Sequence, residues 1–155
     1  MKTFYLTFIA ALLFSSCSDS KINTLLDSDD FDSAKDRVDE LKKRIHSKSE
    51  FKNAEFELFS VNGFSNSRTS VPGGSSWDYK FVIKTSPDYL DKWTAGMVKL
   101  ESSEIDMTWT IKITEKRKDE WPTSGRTECY ANKEKNVIVI LYRDDGLIFK
   151  RVIQN

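Results

Sequence analysis

At Phe51 the chain changes its hydrophobic period, and this change restricts its possible folds more than any other feature. In "WDYKFVIKT" the apolar Trp77, Tyr79, Phe81 and Ile83 alternate with Asp78, Lys80 and Lys84, Val82 being the exception on the polar side. Successive side chains of a strand point to opposite faces, so this spacing predicts a strand with one buried and one wet face. "AEFELFSV" predicts a second strand, with Asn62 and Gly63 as a turn. "MTWTIKIT" shows the same alternation through Met107, Trp109, Ile111 and Ile113, and predicts a third, with Trp109 in the core. "TECYA", "NVIVILYR" and "LIFKRVIQ" complete an antiparallel run. Asp145 and Gly146 tolerate the left-handed angles of a tight hairpin, so the last two strands are expected to pair directly.

Before Phe51 the period is helical. In "DDFDSAKDRVDELKKRIHSK" the residues Phe31, Ala34, Val38, Leu41 and Ile45 recur at steps of three and four and form one apolar stripe. Asp29 or Asp30 is placed to cap the start, and Lys42, Lys43 and Arg44 lie at the end, where the helix dipole favours cations. A second, short helix is expected in "SPDYLDKW", where a serine precedes proline at the first helical position and Gly96 follows the end. A long polar loop, Ser65 to Trp77, carries Pro72 and Gly73 at positions suited to a type II turn. The expected fold class is α+β: an N-terminal amphipathic helix, then a curved antiparallel sheet of about six strands with one short inserted helix. In element order this resembles a cystatin-like or nuclear-transport-factor-like (NTF2-like) roll, a likeness that implies no function.

The first residues, "MKTFYLTFIAALLFSSC", combine one lysine, a brief apolar stretch and small residues before Cys17. The apolar run falls short of the roughly 20 residues that span a bilayer, which points to a secretory signal. Leu13, Phe14, Ser15, Ser16 and Cys17 resemble the lipobox of bacterial lipoprotein precursors, with Phe14 larger than usual at its position. The resemblance implies cleavage before Cys17 and a diacylated cysteine, an anchor of two acyl chains able to hold a protein on a membrane. Ser18, rather than aspartate, resembles the outer-membrane sorting signal, so a lipid-anchored place in the bacterial cell envelope, at the outer membrane more than the inner, is expected. The domains read as signal peptide 1–16, lipidated tether 17–29 and one globular domain 30–155.

The charges balance, with 24 Lys and Arg against 24 Asp and Glu, and no dense basic face points to nucleic acid. With Cys17 lipidated, Cys129 has no disulfide partner, and its alternation with Thr127 and Ala131 predicts a buried strand position. His46 is the only histidine, so neither a metal cluster nor a cysteine–histidine pair can be assembled around it. The G-x-S-x-G elbow is absent, and "VPGGSS" leads into a strand rather than a helix, unlike a phosphate loop. No catalytic set, metal or cofactor is therefore expected. Asp119, Glu120 and Trp121 lie in "EKRKDEWPTSGR", read as a solvated loop. The candidate binding surface comprises Arg68 and Pro72 in the long loop with Trp77, Trp93 and Trp121 at element edges, where tryptophan faces suit sugar rings or a protein partner. A non-catalytic protein-binding role (inhibitor, immunity factor or accessory subunit) is expected first, a glycan-binding module second, and a hydrolase using paired carboxylates third.

Overall fold

A computed structural model of the 155-residue chain describes residues 23–61 and 75–154. Seven strands form one open antiparallel sheet: β1 (Asn23–Asp27), β2 (Asn53–Val61), β3 (Ser76–Lys84), β4 (Val98–Leu100), β5 (Thr127–Ala131), β6 (Val137–Tyr142) and β7 (Leu147–Gln154). Their order is β1-β2-β3-β7-β6-β5-β4, two meanders joined where β3 meets β7. Among the described residues three α-helices accompany them, α1 (Ala34–Arg44), α2 (Leu90–Thr94) and α3 (Thr108–Thr114), which makes the domain α+β.

The sheet buries both faces. On the first, Ala54, Ile83, Ile148 and Leu141 stand side by side in register, and α1 and α2 cover them with Val38, Leu41, Leu90 and Trp93. On the second, Val82, Phe149, Ile140 and Cys129 form the matching row beneath Trp109 and Trp121. The expectation of one wet face is therefore corrected. Val82, the apolar residue on the polar side, is fully buried in this second core. Fully burying a side chain of this size stabilises a fold by roughly 1.5–3 kcal/mol.

The strand expected at "MTWTIKIT" is helix α3. Both readings use the same residues, but the strand reading would have buried Ile111, which is 74% exposed. The inward residues are Trp109, Thr110 and Thr114, which are helically spaced. Asp106 Oδ1 accepts from the Thr108 amide at 2.9 Å and its hydroxyl at 2.7 Å, fixing the start of the helix. Thr114 Oγ1 donates to the Thr110 carbonyl at 3.0 Å, which satisfies a β-branched residue inside a helix.

Other expectations are refined. The cap of α1 is Ser33, whose Oγ accepts from the Asp36 amide at 3.1 Å, rather than Asp29 or Asp30. Residues 23–27, expected in the tether, are β1, paired to β2 from Asn23↔Val61 to Asp27↔Glu57. The β6–β7 hairpin forms, with Gly146 alone adopting positive φ (65°) while Asp145 does not. Cys129 is buried, and burial pushes its thiol above the ordinary value. The turn at Asn62 and Gly63 and the long-loop residues up to 74 lie outside the described residues.

Candidate functional site

The structure does not bring the sequence-derived surface together. Cys17, Arg68 and Pro72 lie outside the described residues, and Trp77 is half-buried near the start of β3. Trp93 is 2% exposed; its ring meets Phe81 edge-on at 6.1 Å, and its N–H donates to Ser49 Oγ at 2.9 Å. Trp121 is 3% exposed and donates to Glu55 Oε1 at 3.3 Å. Neither Trp93 nor Trp121 offers a ring face to a ligand, which corrects their place in the candidate surface. The stretch around Trp121 is solvated as expected, Lys118, Asp119 and Glu120 being exposed, but Glu115–Glu120 is 3-10 helix rather than loop, kinked at Arg117 (φ −127°, ψ 44°).

That kink serves a polar centre that sequence reasoning missed. Glu55, on the second face of β2, is 1% exposed. Its carboxylate accepts from Arg117 Nε (2.6 Å), Arg117 Nη2 (2.5 Å) and Ser28 Oγ (2.7 Å), and Arg37 Nε lies 3.5 Å away. Arg37 reaches this point past the end of β1, where β2 has no neighbouring strand on that side among the described residues, and donates to the Ala54 carbonyl at 2.9 Å. The Glu55 bond raises the Arg117 guanidinium above its usual value against the opposing effect of burial. Every strong donor and acceptor here has a partner, so the centre ties α1, β2 and the segment after α3 together rather than waiting for a substrate. In "AEFELF" Glu55 was indistinguishable from a wet-face acid, because the pattern says nothing about what covers a face.

A groove of about 360 Å³ lies nearby, lined by Asp27, Glu57 and Glu115 with Lys112 and Lys116. Burial raises the Asp27 carboxyl; the neighbouring charges of Asp29 and Glu57 add to this, and a bond from the Asp29 amide opposes it. Glu57, its cross-strand partner, is held by Lys80 at 2.7 Å.

A second groove, of about 220 Å³, opens on the first face beyond the end of α1. Its floor is Tyr79, Phe81 and Val152, with Ile45 as a wall. Arg44, His46, Lys48 and Lys150 also line it, and among the described residues no carboxylate does. Lys150 stands between Phe81 and Val139 in the register, a single charge on the apolar face of β7. Its ammonium lies 5.5 Å from the Trp93 ring centroid, and burial lowers its pKa, with Lys48 adding repulsion. The signal was present in "LIFKRVIQ", where lysine occupies the step between Ile148 and Val152.

The third feature is the outer edge of β1. No strand lies beside it among the described residues, and Leu25 (59% exposed) faces its register partner Phe59 (36% exposed) on one side of the sheet. Among the described residues no group of three or more His, Cys, Asp or Glu is placed to hold a metal, and no helix is long and apolar enough to cross a membrane. No known protein family, curated protein or solved structure matches the chain.

Proposed function

We propose that this chain is a small bacterial envelope lipoprotein, anchored through a lipidated Cys17 and non-catalytic, that binds an envelope protein partner as an inhibitor, immunity factor or accessory subunit. The lipobox-like "LFSSC" supports the anchor, and Ser18 favours the outer membrane. The six residue steps from Cys17 to Asn23 reach at most about 20 Å, so the end of the sheet where β1 begins would lie close to the headgroups. We read the architecture as a helix-across-sheet roll in plan, cystatin-like or NTF2-like, with α3 added on the second face.

The observation that carries the protein-binding reading is the edge of β1. Its outer backbone groups, unpaired with any strand among the described residues, can pair with an extended segment of a partner, and Leu25 with Phe59 gives that added strand an apolar neighbour to cover. The acids beside the cores are occupied: Asp78 is bound by Arg151 at 2.9 and 2.8 Å, and Glu128 by Arg143 at 2.6 Å. The test is a photo-crosslinking residue at Leu25 in the full lipoprotein in its own membrane, with Cys17→Ser as the unanchored control. One dominant partner, lost in Cys17→Ser, is the expected result; no reproducible adduct from Leu25 in anchored protein removes the reading.

A second reading, hydrolysis by carboxylates, is favoured by one observation, the raised Asp27 opposite Glu57 in the 360 Å³ groove. It requires that Asp27→Asn abolish any glycosidase activity found in the purified protein while leaving the melting temperature unchanged.

A further inference from the structure

We propose that the groove at the end of α1 is a binding site for a small anion, a phosphate or carboxylate borne on a short apolar body, held by Lys48 and Lys150. The inference is independent of the partner at β1, which lies at the outer edge of the sheet.

Three facts converge on it. The first is charge: Arg44, His46, Lys48 and Lys150 line one concavity, and among the described residues no acid does. The nearest acids of α1 and its following loop are already engaged, Glu40 by Lys43 and Arg44 at 2.9 Å, and Glu50 by Lys42. Neither Lys48, Lys150 nor His46 has an ion-pair partner among the described residues, in a protein where Lys80, Lys99, Arg117, Arg143 and Arg151 all have one.

The second fact is the position of Lys150. A lysine placed between Ile148 and Val152 on a face otherwise apolar loses hydration, and its lowered pKa shows the cost of keeping it charged there. The Trp93 ring offers one partial compensation through its face. An anion in the groove supplies the other, and its contact with a partly desolvated ammonium is stronger than with a surface lysine.

The third is size and lining. At about 220 Å³ the groove is smaller than the roughly 300–1,000 Å³ of pockets that take drug-sized ligands, and it suits one anionic group with a small appendage. Tyr79, Phe81 and Val152 give that appendage an apolar floor, and with the charges at the rim this defines an amphiphilic anion.

The same chemistry is carried by a soluble phosphate monoester and by a lipid headgroup, and the test separates them. The full lipoprotein in zwitterionic detergent is titrated with phenyl phosphate and with inorganic phosphate by calorimetry. In parallel the Cys17→Ser form, which carries no acyl anchor of its own, is floated with phosphatidylcholine vesicles, with and without phosphatidylglycerol. Both arms are repeated with Lys48→Gln, an exposed position whose change leaves the core untouched, and with Lys150→Met, which keeps the stem. Saturable binding of phenyl phosphate, tighter than inorganic phosphate and weakened about tenfold by either variant, is expected for a soluble ligand. Flotation that requires phosphatidylglycerol and falls in both variants, with no binding of soluble phosphates, assigns the same site to a headgroup. The proposal is overturned if no anionic probe binds, or if Lys48→Gln, folded by circular dichroism, binds as tightly as the native protein.

Discussion

Arg117→Met tests whether the Glu55 centre holds the two faces of the sheet together. The native pair is desolvated, with the Arg117 side chain 16% and Glu55 2% exposed and two hydrogen bonds at 2.6 and 2.5 Å. Removing one partner of a buried pair costs about 3–5 kcal/mol, because the other charge stays buried. Here the lower figure applies, since Arg37 Nε remains 3.5 Å from the carboxylate and Ser28 Oγ still donates to it. A loss of about 3 kcal/mol in a domain of this size lowers Tm by about 10 °C. The assay is urea unfolding followed by tryptophan fluorescence, with Glu55→Gln and the double variant completing a cycle. Because Glu55→Gln already removes the charge that Arg117 neutralises, the double variant should cost less than the two single changes together, by at least about 1 kcal/mol. A loss below about 1 kcal/mol for Arg117→Met, or costs that add, would falsify the assignment of this centre as a structural clamp.

Other consequences follow from single contacts. Gly146→Ala should lower stability by more than about 1 kcal/mol, because φ is 65° and a Cβ would stand 2.5 Å from the Thr85 carbonyl oxygen; an unchanged urea midpoint would contradict that geometry. Trp93→Ala and Trp121→Ala should each cost about 3–5 kcal/mol as buried aromatic deletions, and a variant with native Tm would return that ring to the list of surface candidates. Stability should be flat through neutral pH and fall on acidification. Burial alone would raise the carboxyls of Asp78 and Glu128, but the hydrogen bonds from Arg151 and Arg143 outweigh it and hold both below their ordinary 3.8 and 4.5. Such depressed carboxyls contribute stability that is complete above those values and lost as pH falls through the folded-state values. Asp78→Asn should therefore flatten the acid limb of a plot of urea midpoint against pH, and an identical limb would count against the Arg151 pair.

The uneven success of sequence reasoning has identifiable causes. The alternation of Trp77 to Lys84 gave a correct strand because its neighbours, β2 and β7, impose the same pleat on both sides. The equal alternation of Met107 to Ile113 gave a wrong one, because residues spaced by two in a short window also fit part of a helical stripe. Asp106, whose carboxylate accepts from the Thr108 amide and hydroxyl just ahead of the first turn, was the clue that favoured helix. The tryptophans were misplaced on the surface for a related reason: lying at an element edge in sequence does not keep a large ring out of the core, as Trp93 and Trp121 show.

Local order thus came from the chain's own pattern. The stripe of α1, the glycine in the β6–β7 turn, the buried Cys129 and the short helix after Pro87 all rest on interactions within a few residues or on a repeat visible in one segment. Long-range packing decided the rest: that "NTLLD" pairs with β2, that α3 covers the second face and buries Val82, and that Glu55 meets Arg37 and Arg117. The groove around Lys150 belongs to this second group, since Lys48 and Lys150 are brought to one concavity only by packing the end of α1 across β3 and β7. Period and propensity act over a few residues and specify which way a side chain points, whereas burial depends on which distant segment arrives to cover it.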